Sequence, residues 1–230
     1  MFKYRSVLKT FSTLNKLKCN NINSNAIINS GKLFTQNNNC TLNNSNKFFT
    51  TSNNNDINAL KLEELIKSDL IHDMKSFLTF KNEKDIQFTS KQWLDILKLR
   101  GGRGLPNYMD LDVVDVKDDG TVKMNLKVGK HHVASNGYVH AASVICLADT
   151  ACGYGCFSKL PKGAFGFTTI ELKSNFLGTA AEGDLLECES TLVHAGRSTQ
   201  VWDAIVKHGN KTLALFRCTE IVLYPQPKKN

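Results

Sequence analysis

The run of small and apolar side chains from Tyr138 to Phe157 constrains the fold of this chain more than any other feature. It is rich in alanine and glycine, and it interrupts a region whose residues otherwise alternate as strands do. A helix that is apolar on nearly all sides is buried, and small side chains let its neighbours approach closely. The sequence therefore predicts one buried helix over 138–157. No stretch reaches the roughly 18–20 uninterrupted apolar residues of a membrane-spanning helix, so we expect no membrane span.

Strand patterns lie on both sides of this segment. Asp-Gly at positions 119–120 joins the first two strands and is a strong hairpin signal. Glycine-containing turns separate the later ones, which makes a meander the natural connection. The order β-β-α-β-β-β-β predicts an α+β layer with one antiparallel sheet. The predicted strands are Tyr108–Lys117, Thr121–Val128, Gly166–Phe176, Asp184–His194, Thr199–His208 and Thr212–Leu223.

A helical extension precedes the strands, over residues 56–104. Apolar residues at helical spacing from Leu62 to Phe77 predict a helix of about 20 residues. A second helix is predicted to start with Ser90 as its cap and to pack Trp93. The glycine-rich stretch 101–106 ends this helix as a loop; no strand precedes it, as a phosphate cradle would require. The main domain then covers 105–224, and 225–230 form a tail.

The first 55 residues differ in composition from the rest. They contain fifteen Asn, seven basic residues and no Asp or Glu, which predicts a disordered leader. Residues 1–18 are basic and amphipathic, like a mitochondrial presequence, so we expect a mitochondrial protein or otherwise a cytoplasmic one. Without the leader the chain has 22 basic and 21 acidic residues. This balance argues against a nucleic-acid-binding face.

The cysteine pattern argues against a metal site or a disulfide framework. The five cysteines after the leader have no Cys-x-x-Cys pair and sit among apolar neighbours. We expect them to be buried small hydrophobic residues, with no metal and no cofactor.

Asp149 is the residue within 138–157 that packing does not account for. An aspartate among Cys146, Leu147, Ala148 and Ala151 is costly unless it is paired or functional. The alternative is a carboxylate that caps a neighbouring backbone or faces an interface. The start of the same helix has free N–H groups near Ala141 and Ala142 that could stabilise an oxyanion.

Two motifs in this region resemble a known family. Gly137-Tyr138-Val139-His140-Ala141-Ala142 followed by Leu147-Ala148-Asp149 resembles the Gly-x-x-His-Gly-Gly … Leu-Ala-Asp/Glu signature of hotdog-fold acyl-CoA thioesterases. The closest subgroup is the PaaI-like, phenylacetic-acid-degradation type. The similarity continues through 168–178 and 194–198 and covers about 105–224. It implies a hotdog fold, an antiparallel sheet wrapped around one long central helix.

The resemblance also implies roles for individual residues. Asp149 matches the carboxylate that acts as base or nucleophile, Ala141 matches the residue whose N–H polarises the carbonyl, and Thr169 matches a residue that holds the water. His140, Ala142 and Gly137 would line the substrate site, and Arg197 could meet the phosphates of CoA. The family's usual Asn or Gln, six residues before the histidine, is Ala134 here.

The implied activity is hydrolysis of an acyl-CoA thioester to a free acid and CoA, where CoA is part of the substrate. One alternative is a non-catalytic acyl-CoA-binding hotdog module, which the Ala134 departure favours. The other is a hotdog dehydratase or hydratase, although the His-Phe-Pro and Asp-x-Asn-Pro-x-His contexts of those enzymes are absent.

The spacing of Ala141 and Asp149 adds an expectation about assembly. Eight residues correspond to about 12 Å along a helix. One carbonyl carbon cannot lie within roughly 3–3.5 Å of both groups. Two antiparallel helices about a two-fold axis would bring Asp149 of one chain to Ala141 of the other. We therefore expect a homodimer or a dimer of dimers.

The leader generates a testable prediction. A reporter fused to residues 1–55 should enter mitochondria, and deletion of these residues should abolish import while leaving the thermal stability of the remaining chain unchanged, because the Asn-rich tract has little apolar surface to bury. Fluorescence microscopy and fractionation measure import. A reporter that stays cytosolic with the intact leader would refute the targeting hypothesis. Import should also be lost when five basic residues are replaced by Gln, namely Lys3, Arg5, Lys9, Lys16 and Lys18.

Overall fold

A six-stranded antiparallel sheet and one long helix form the main domain, which confirms the predicted α+β hotdog architecture. The computed structural model describes residues 63–64 and 69–226. The leader over 1–55 lies outside these residues and stays a prediction. The helices are α1 (Met74–Glu83), α2 (Ser90–Gly101), α3 (Gly104–Tyr108) and α4 (Ala141–Ser158), and the strands are β1 (Asp112–Val116), β2 (Val122–Lys127), β3 (Gly166–Phe176), β4 (Leu185–Ala195), β5 (Thr199–His208) and β6 (Lys211–Leu223).

The strand order is β1-β2-β4-β5-β6-β3, so the predicted simple meander is wrong at one connection. β3 pairs with β6 at one edge of the sheet and not with β4. The short turns after β4 and β5 close hairpins, as expected. Between β3 and β4 lie residues 177–184, a connection long enough to cross from one edge of the sheet to the β2 side. As a result β3 is placed beside β6.

The close approach of α4 to the sheet depends on a glycine. A Cβ at Gly155 would lie 2.5 Å from the Trp202 ring and 3.0 Å from the Gly120 carbonyl oxygen. Trp202 is fully buried in β5, so its ring fills the space that Gly155 leaves open. Two side chains also bond the helix backbone: Ser190 Oγ donates to the Ala151 carbonyl at 3.1 Å, and Gln200 Nε2 to that of Lys159 at 3.1 Å. These contacts fix the position of α4 on the sheet.

The helix is buried on one face, whereas the sequence predicted burial on nearly all sides. Nine of its residues are buried, among them Val144, Leu147 and Ala151. The other face, which includes Ala142, Ile145 and Asp149, is only partly covered. Among the described helices, α4 alone is long and apolar enough to cross a membrane, with a mean hydropathy of 1.2. Its buried face packs against the sheet, as in the core helix of a folded domain.

The helical extension differs from the prediction in its first part. A 3₁₀ turn at Leu70–His72 precedes α1, so no single helix runs through Leu70 to Phe77. Asp73 ends the turn and caps α1 by accepting the Ser76 N–H at 2.9 Å. The carboxylate cap favours a helix start at this point over a continuous helix. Of the predicted helix before Leu70, only residues 63–64 and 69 are described.

The second part of the extension is close to the prediction. α2 packs Trp93 as expected, but its cap is Thr89, which forms a capping box with Gln92, and not Ser90. The predicted loop over 101–106 gives way to the short helix α3, whose first turn tolerates Pro106. The first strand consequently starts at Asp112 and not at Tyr108.

Aromatic side chains join the extension to the core of the main domain. Phe77 of α1 lies with its ring centroid 5.1 Å from that of Phe157 in α4, and Trp93 of α2 lies 5.5 Å from the same ring. Phe77, Phe157 and Trp93 are all buried. The extension and the sheet therefore share one hydrophobic core.

The cysteines of the described chain are free, and all are buried except the half-buried Cys146, as expected. Burial raises the pKa of the Cys188 thiol to about 12. The Cys188 thiol is therefore protonated near neutral pH and behaves as a small hydrophobic side chain.

Replacement of Leu97 by alanine tests the shared core. Leu97 is fully buried in α2, so Leu97→Ala should lower the free energy of unfolding by about 2–5 kcal/mol through loss of apolar contacts and creation of a cavity. Leu105→Ala makes the same chemical change at a residue that is 59% exposed, and should cost about 0.5 kcal/mol or less. Urea unfolding followed by circular dichroism measures both. Equal effects of the two substitutions would contradict a core that includes α2.

Candidate active site

Asp149 lies in the middle of α4, on the border between its buried and its partly covered face. The side chain is half-buried, and Oδ1 is shielded from solvent with no hydrogen-bond partner among the described residues. Burial raises the pKa of this carboxyl above its usual value. In the described contacts the carboxylate caps no backbone group, which was one of the two structural alternatives for Asp149; the other, a carboxylate that faces an interface, stays open. An unpartnered carboxylate oxygen of this kind is costly and is typical of a functional group.

Glu220 lies next to Asp149 and was missed in the sequence. It is fully buried in β6, directly opposite Thr169 of β3 in the strand register. Its Oε1 accepts a hydrogen bond from Thr169 Oγ1 at 3.1 Å and one from Cys218 Sγ at 3.5 Å, whereas Oε2 is buried without a partner. Burial raises the pKa of Glu220, the two hydrogen bonds oppose this shift, and the charge of Asp149 adds to it.

A signal for Glu220 was present in the sequence. Successive strand residues face opposite sides of a sheet, so Phe216, Cys218 and Glu220 share the face that packs on α4. All three are buried. An acid at a core-facing strand position is as unusual as an acid in an apolar helix.

A β-bulge aims Thr169 at this cluster. The β3–β6 register shifts between Thr169 and Glu171, which leaves Ile170 unpaired. Without the bulge, Thr169 and Glu171 would lie on the same face. Instead Thr169 bonds Glu220 on the inner face, while Glu171 accepts from Thr219 at 3.4 Å on the outer face. The bulge therefore separates a site residue from a surface residue two positions away.

Asp149, Cys218 and Glu220 each offer an oxygen or sulfur atom to one small space, and these atoms lie within 4.8 Å of one another. No direct hydrogen bond joins the two carboxyl groups in the described contacts. Cys152 lies beside Cys218, and its hydrogen bond to Cys218 together with burial raises the pKa of the Cys152 thiol well above its usual value. A set of this kind can hold a proton between its acids or coordinate a divalent cation.

The N-terminus of α4 has one free amide. His140 is the N-cap and accepts the Ala142 N–H on Nδ1 at 2.9 Å, so its ring carries the proton on Nε2. The His140 carbonyl oxygen accepts the Ser143 N–H at 2.9 Å. Within the described chain the Ala141 N–H has no partner, and both Ala141 and Ala142 are exposed. The predicted oxyanion donor Ala141 is therefore available, whereas the Ala142 amide is already bonded to His140.

The loop before this helix is held by a turn. The Gly137 N–H donates to the Ala134 carbonyl at 2.9 Å, and Gly137 has a positive φ of 83°, which glycine adopts without strain. Asn136 Oδ1 accepts the Tyr138 N–H at 3.2 Å. The Ala134 methyl group provides no donor of its own. The hydrogen bond of Asn136 in this loop uses its amide oxygen and leaves its Nδ2 group uncommitted in the described contacts.

Arg197 lies in the turn between β4 and β5, with an exposed side chain. Its carbonyl oxygen accepts a hydrogen bond from Tyr224 at 2.9 Å. Since Gln200, three residues on, bonds the Lys159 carbonyl, this turn lies near the C-terminal end of α4. In one chain Arg197 is therefore remote from Ala141 at the opposite end of the helix.

The structure thus brings Asp149 and Thr169 together through Glu220 but leaves Ala141 apart. Ala141 and Asp149 lie on the same uninterrupted helix, about 12 Å apart along its axis. A single chain therefore supplies the acid and the oxyanion donor at two separate places.

Comparison with known proteins tests the predicted resemblance. Residues 136–215 match the sequence model of the thioesterase superfamily. This part of the chain is therefore similar to thioesterase-superfamily domains. The predicted resemblance is confirmed, and it supports thioester hydrolysis in general terms. The match includes Ala141, Asp149 and Thr169 and ends before Glu220.

Individual proteins are similar to this chain in sequence or in fold. The chain is 28% identical over 117 residues to a 1,4-dihydroxy-2-naphthoyl-CoA hydrolase of Listeria monocytogenes, covering 50% of this chain and 93% of the relative. A crystal structure of a Haemophilus influenzae thioesterase is similar in fold, with a TM-score of 0.55, 18% identity, and coverage of 63% of this chain and 97% of that one. A thioesterase mutant from Pseudomonas aeruginosa gives a TM-score of 0.53 at 18% identity, with coverage of 56% and 93%.

Proposed function

We propose that this domain is a thioesterase that hydrolyses an acyl-CoA thioester, so that the thioester and water give a free carboxylic acid and CoA. The observation that carries the proposal is the buried, unpartnered Oδ1 of Asp149, on the same helix as the free amide of Ala141. The Listeria relative is named as a hydrolase of a CoA ester, which supports this substrate class.

Asp149 is proposed as the general base. Its carboxylate takes a proton from water, and the water oxygen attacks the thioester carbonyl carbon. Negative charge then develops on the carbonyl oxygen, where the Ala141 N–H and the positive end of the α4 dipole stabilise it. Collapse of the intermediate breaks the C–S bond, and the proton held by Asp149 passes to the departing CoA thiolate.

Thr169 is proposed to orient the water through its free lone pairs. Its hydroxyl proton is donated to Glu220, so the oxygen can accept a hydrogen bond from the water. The resulting water position lies between Thr169 and Asp149. Thr169 then positions the water and takes no part in proton transfer.

Two copies of the chain are proposed to complete each site. The 12 Å between Ala141 and Asp149 exceeds the reach of one carbonyl group, and the partly covered face of α4 includes small residues that let a second helix approach. The long edge strand β3 also exposes apolar side chains, with Ile170 56% and Phe176 45% exposed. An exposed apolar edge of this length favours pairing with another copy.

The remaining contacts are proposed for CoA itself. Arg197 is exposed and free to meet a phosphate group, and a second copy is needed to bring it near Ala141. His140 holds the oxyanion end by capping α4, and Gly137 shapes the preceding turn. The proposed reaction uses no metal or separate cofactor.

A second candidate is a non-catalytic acyl-CoA-binding module. Ala134 favours it, because the methyl group offers no second hydrogen bond to the thioester oxygen. Binding without release of free CoA would support this candidate over hydrolysis. A thiol-release assay on a panel of acyl-CoAs, run beside a binding assay with the same compounds, separates the two.

Replacement of Asp149 tests the proposed base. Asp149→Asn should lower turnover about 10²-fold or more, the size of a general-base contribution, while the circular dichroism spectrum stays unchanged. Thr169→Ala should cost less, because Thr169 only positions the water. Asp112→Asn makes the same change at an exposed strand residue and should leave the rate unaltered. A near-native rate for Asp149→Asn on the best substrate would remove Asp149 from the mechanism.

Mixed dimers test the two-chain site. Ala141→Pro deletes the oxyanion N–H, and proline suits this first helical position because His140 before it is extended, with φ −69° and ψ 139°. Each single variant should be inactive as a homodimer. A heterodimer of Ala141→Pro with Asp149→Asn has one intact composite site and should recover up to about half of the wild-type rate per dimer. Tandem affinity purification isolates the heterodimer, and no gain over either parent would contradict the model.

A further inference from the structure

We propose that Glu220 is the positioning residue of Asp149: their two carboxyl groups share one proton and hold the hydrolytic water between them. The proposal rests on the proposed function in that it takes Asp149 as the base of thioester hydrolysis. It adds a residue outside the range that matches the thioesterase superfamily.

The two acids lie close enough for one water to bridge them. One oxygen of Asp149 and one of Glu220 lie within 4.8 Å of each other. Two hydrogen bonds of ordinary length to one water span about 4.5 Å between the outer oxygens. Each acid also has one buried oxygen without a partner, Oδ1 of Asp149 and Oε2 of Glu220. A water between the groups would satisfy both atoms.

Among the residues that the structure describes, no positive charge acts on this pair. From α4 the titratable neighbours of Glu220 are Asp149 and the Cys156 thiol, with Cys152 one contact further away next to Cys218. β6 contributes Cys218, and β3 contributes the neutral hydroxyl of Thr169. Gln200 of β5 lies opposite Glu220, and its amide bonds the Lys159 carbonyl and the Trp202 indole. Two carboxylates so close, without a cation, repel each other strongly, so one retains a proton.

The hydrogen bonds indicate where this proton resides. Both Thr169 and Cys218 donate to Oε1 of Glu220, so the proton of a neutral Glu220 lies on Oε2, which faces no other acceptor. Glu220 is fully buried, whereas Asp149 is only half-buried and keeps partial access to solvent. Desolvation disfavours a charge more in the more buried group. Burial and the charge of Asp149 outweigh the two hydrogen bonds that favour a charged Glu220, so Glu220 holds the proton and Asp149 is the carboxylate that the reaction needs.

This arrangement gives Glu220 a defined task. Its neutral Oε2–H donates to the water, which in turn donates to Asp149, so the water is oriented from both sides. At higher pH the shared proton is lost, and a second negative charge opposes the developing oxyanion. The rate should therefore fall on the alkaline side as well as on the acidic side, where Asp149 becomes protonated.

A titration of the carboxyl groups tests the pair without substrate. The full chain is labelled with ¹³C at Asp and Glu side-chain carboxyls, and the signals of Asp149 and Glu220 are followed by NMR against pH. In the wild type both signals should show the same two steps, as coupled groups do. In Glu220→Gln the Asp149 signal, and in Asp149→Asn the Glu220 signal, should collapse to a single step. Glu187→Gln, the same change at an exposed residue of β4, should leave the two steps intact.

Kinetics give a second and independent readout. Glutamine is neutral and retains a donor, so Glu220→Gln should keep turnover within about tenfold of wild type and lose the alkaline fall of kcat/KM. Glu220→Leu has no donor and should lose about 10²-fold or more, mainly in kcat. A purely structural role would affect the two variants through unfolding and leave the shape of the pH profile unchanged. Thermal unfolding measured beside the assay identifies that case.

Three results would overturn the proposal. The first is a single-step Asp149 titration that Glu220→Gln does not alter. The second is a pH profile with the same alkaline limb in Glu220→Gln. The third is a stoichiometric divalent metal in the purified protein, found by elemental analysis and lost in Glu220→Gln, since a cation would then replace the proton. If Glu220→Gln leaves the Asp149 titration unchanged while the wild type still releases CoA thiol, only the proposal that the two acids share a proton is overturned. If the wild type shows the two-step titration but releases no thiol, the thioesterase proposal is overturned.

Discussion

The contact between α4 and the sheet determines where the two acids lie. The Trp202 ring packs directly on the backbone of Gly155. Any residue larger than glycine at position 155 would place its Cβ 2.5 Å from this ring, so the packing requires glycine. This packing, with the hydrogen bond from Ser190 to the helix backbone, sets the rotation of α4. At that rotation Asp149 lies beside Glu220, which accepts the Thr169 hydroxyl, and a small displacement of the helix would separate the acids. The packing of the core therefore sets the geometry of the site.

The same contact places two carboxyl groups side by side, which lowers the stability of the folded protein. Two carboxyl groups are brought together in a largely apolar layer, and each has a buried oxygen with no partner. Burial raises the pKa of both groups, so ionising them opposes folding at neutral pH. Local polar strain of this kind concentrates at functional sites. It supports the interpretation of Asp149 as a reactive group, and it extends that interpretation to Glu220.

Some strand bounds match the sequence prediction, whereas two helix starts, the place of β3 and one acid do not, each for its own physical reason. β3 and β5 have the predicted bounds, because their alternation ends at glycines or turn residues. The caps Asp73 and Thr89 shifted two helix starts, since a side chain that bonds a backbone amide competes with helical continuation. The place of β3 was wrong because local pattern carries no information on which strand a long connection leads to. Asp149 was found by its apolar helical neighbours, whereas the adjacent residues of Glu220 face the other side of the sheet, so only the alternate positions 216 and 218 mark it as buried.

The sequence by itself determined the alternation of strands, the apolar segment that becomes α4, and the position of one acid within it. These follow from short-range periodicity, which the backbone geometry imposes on neighbouring residues. Only the tertiary structure decided that β3 lies beside β6, and with that pairing came the Thr169–Glu220 hydrogen bond and the second acid beside Asp149. The bulge at Ile170 was equally invisible, although it decides which face Thr169 presents. Contacts between residues 51 positions apart, such as Thr169 and Glu220, depend on how whole elements pack, and a local pattern holds no record of that packing.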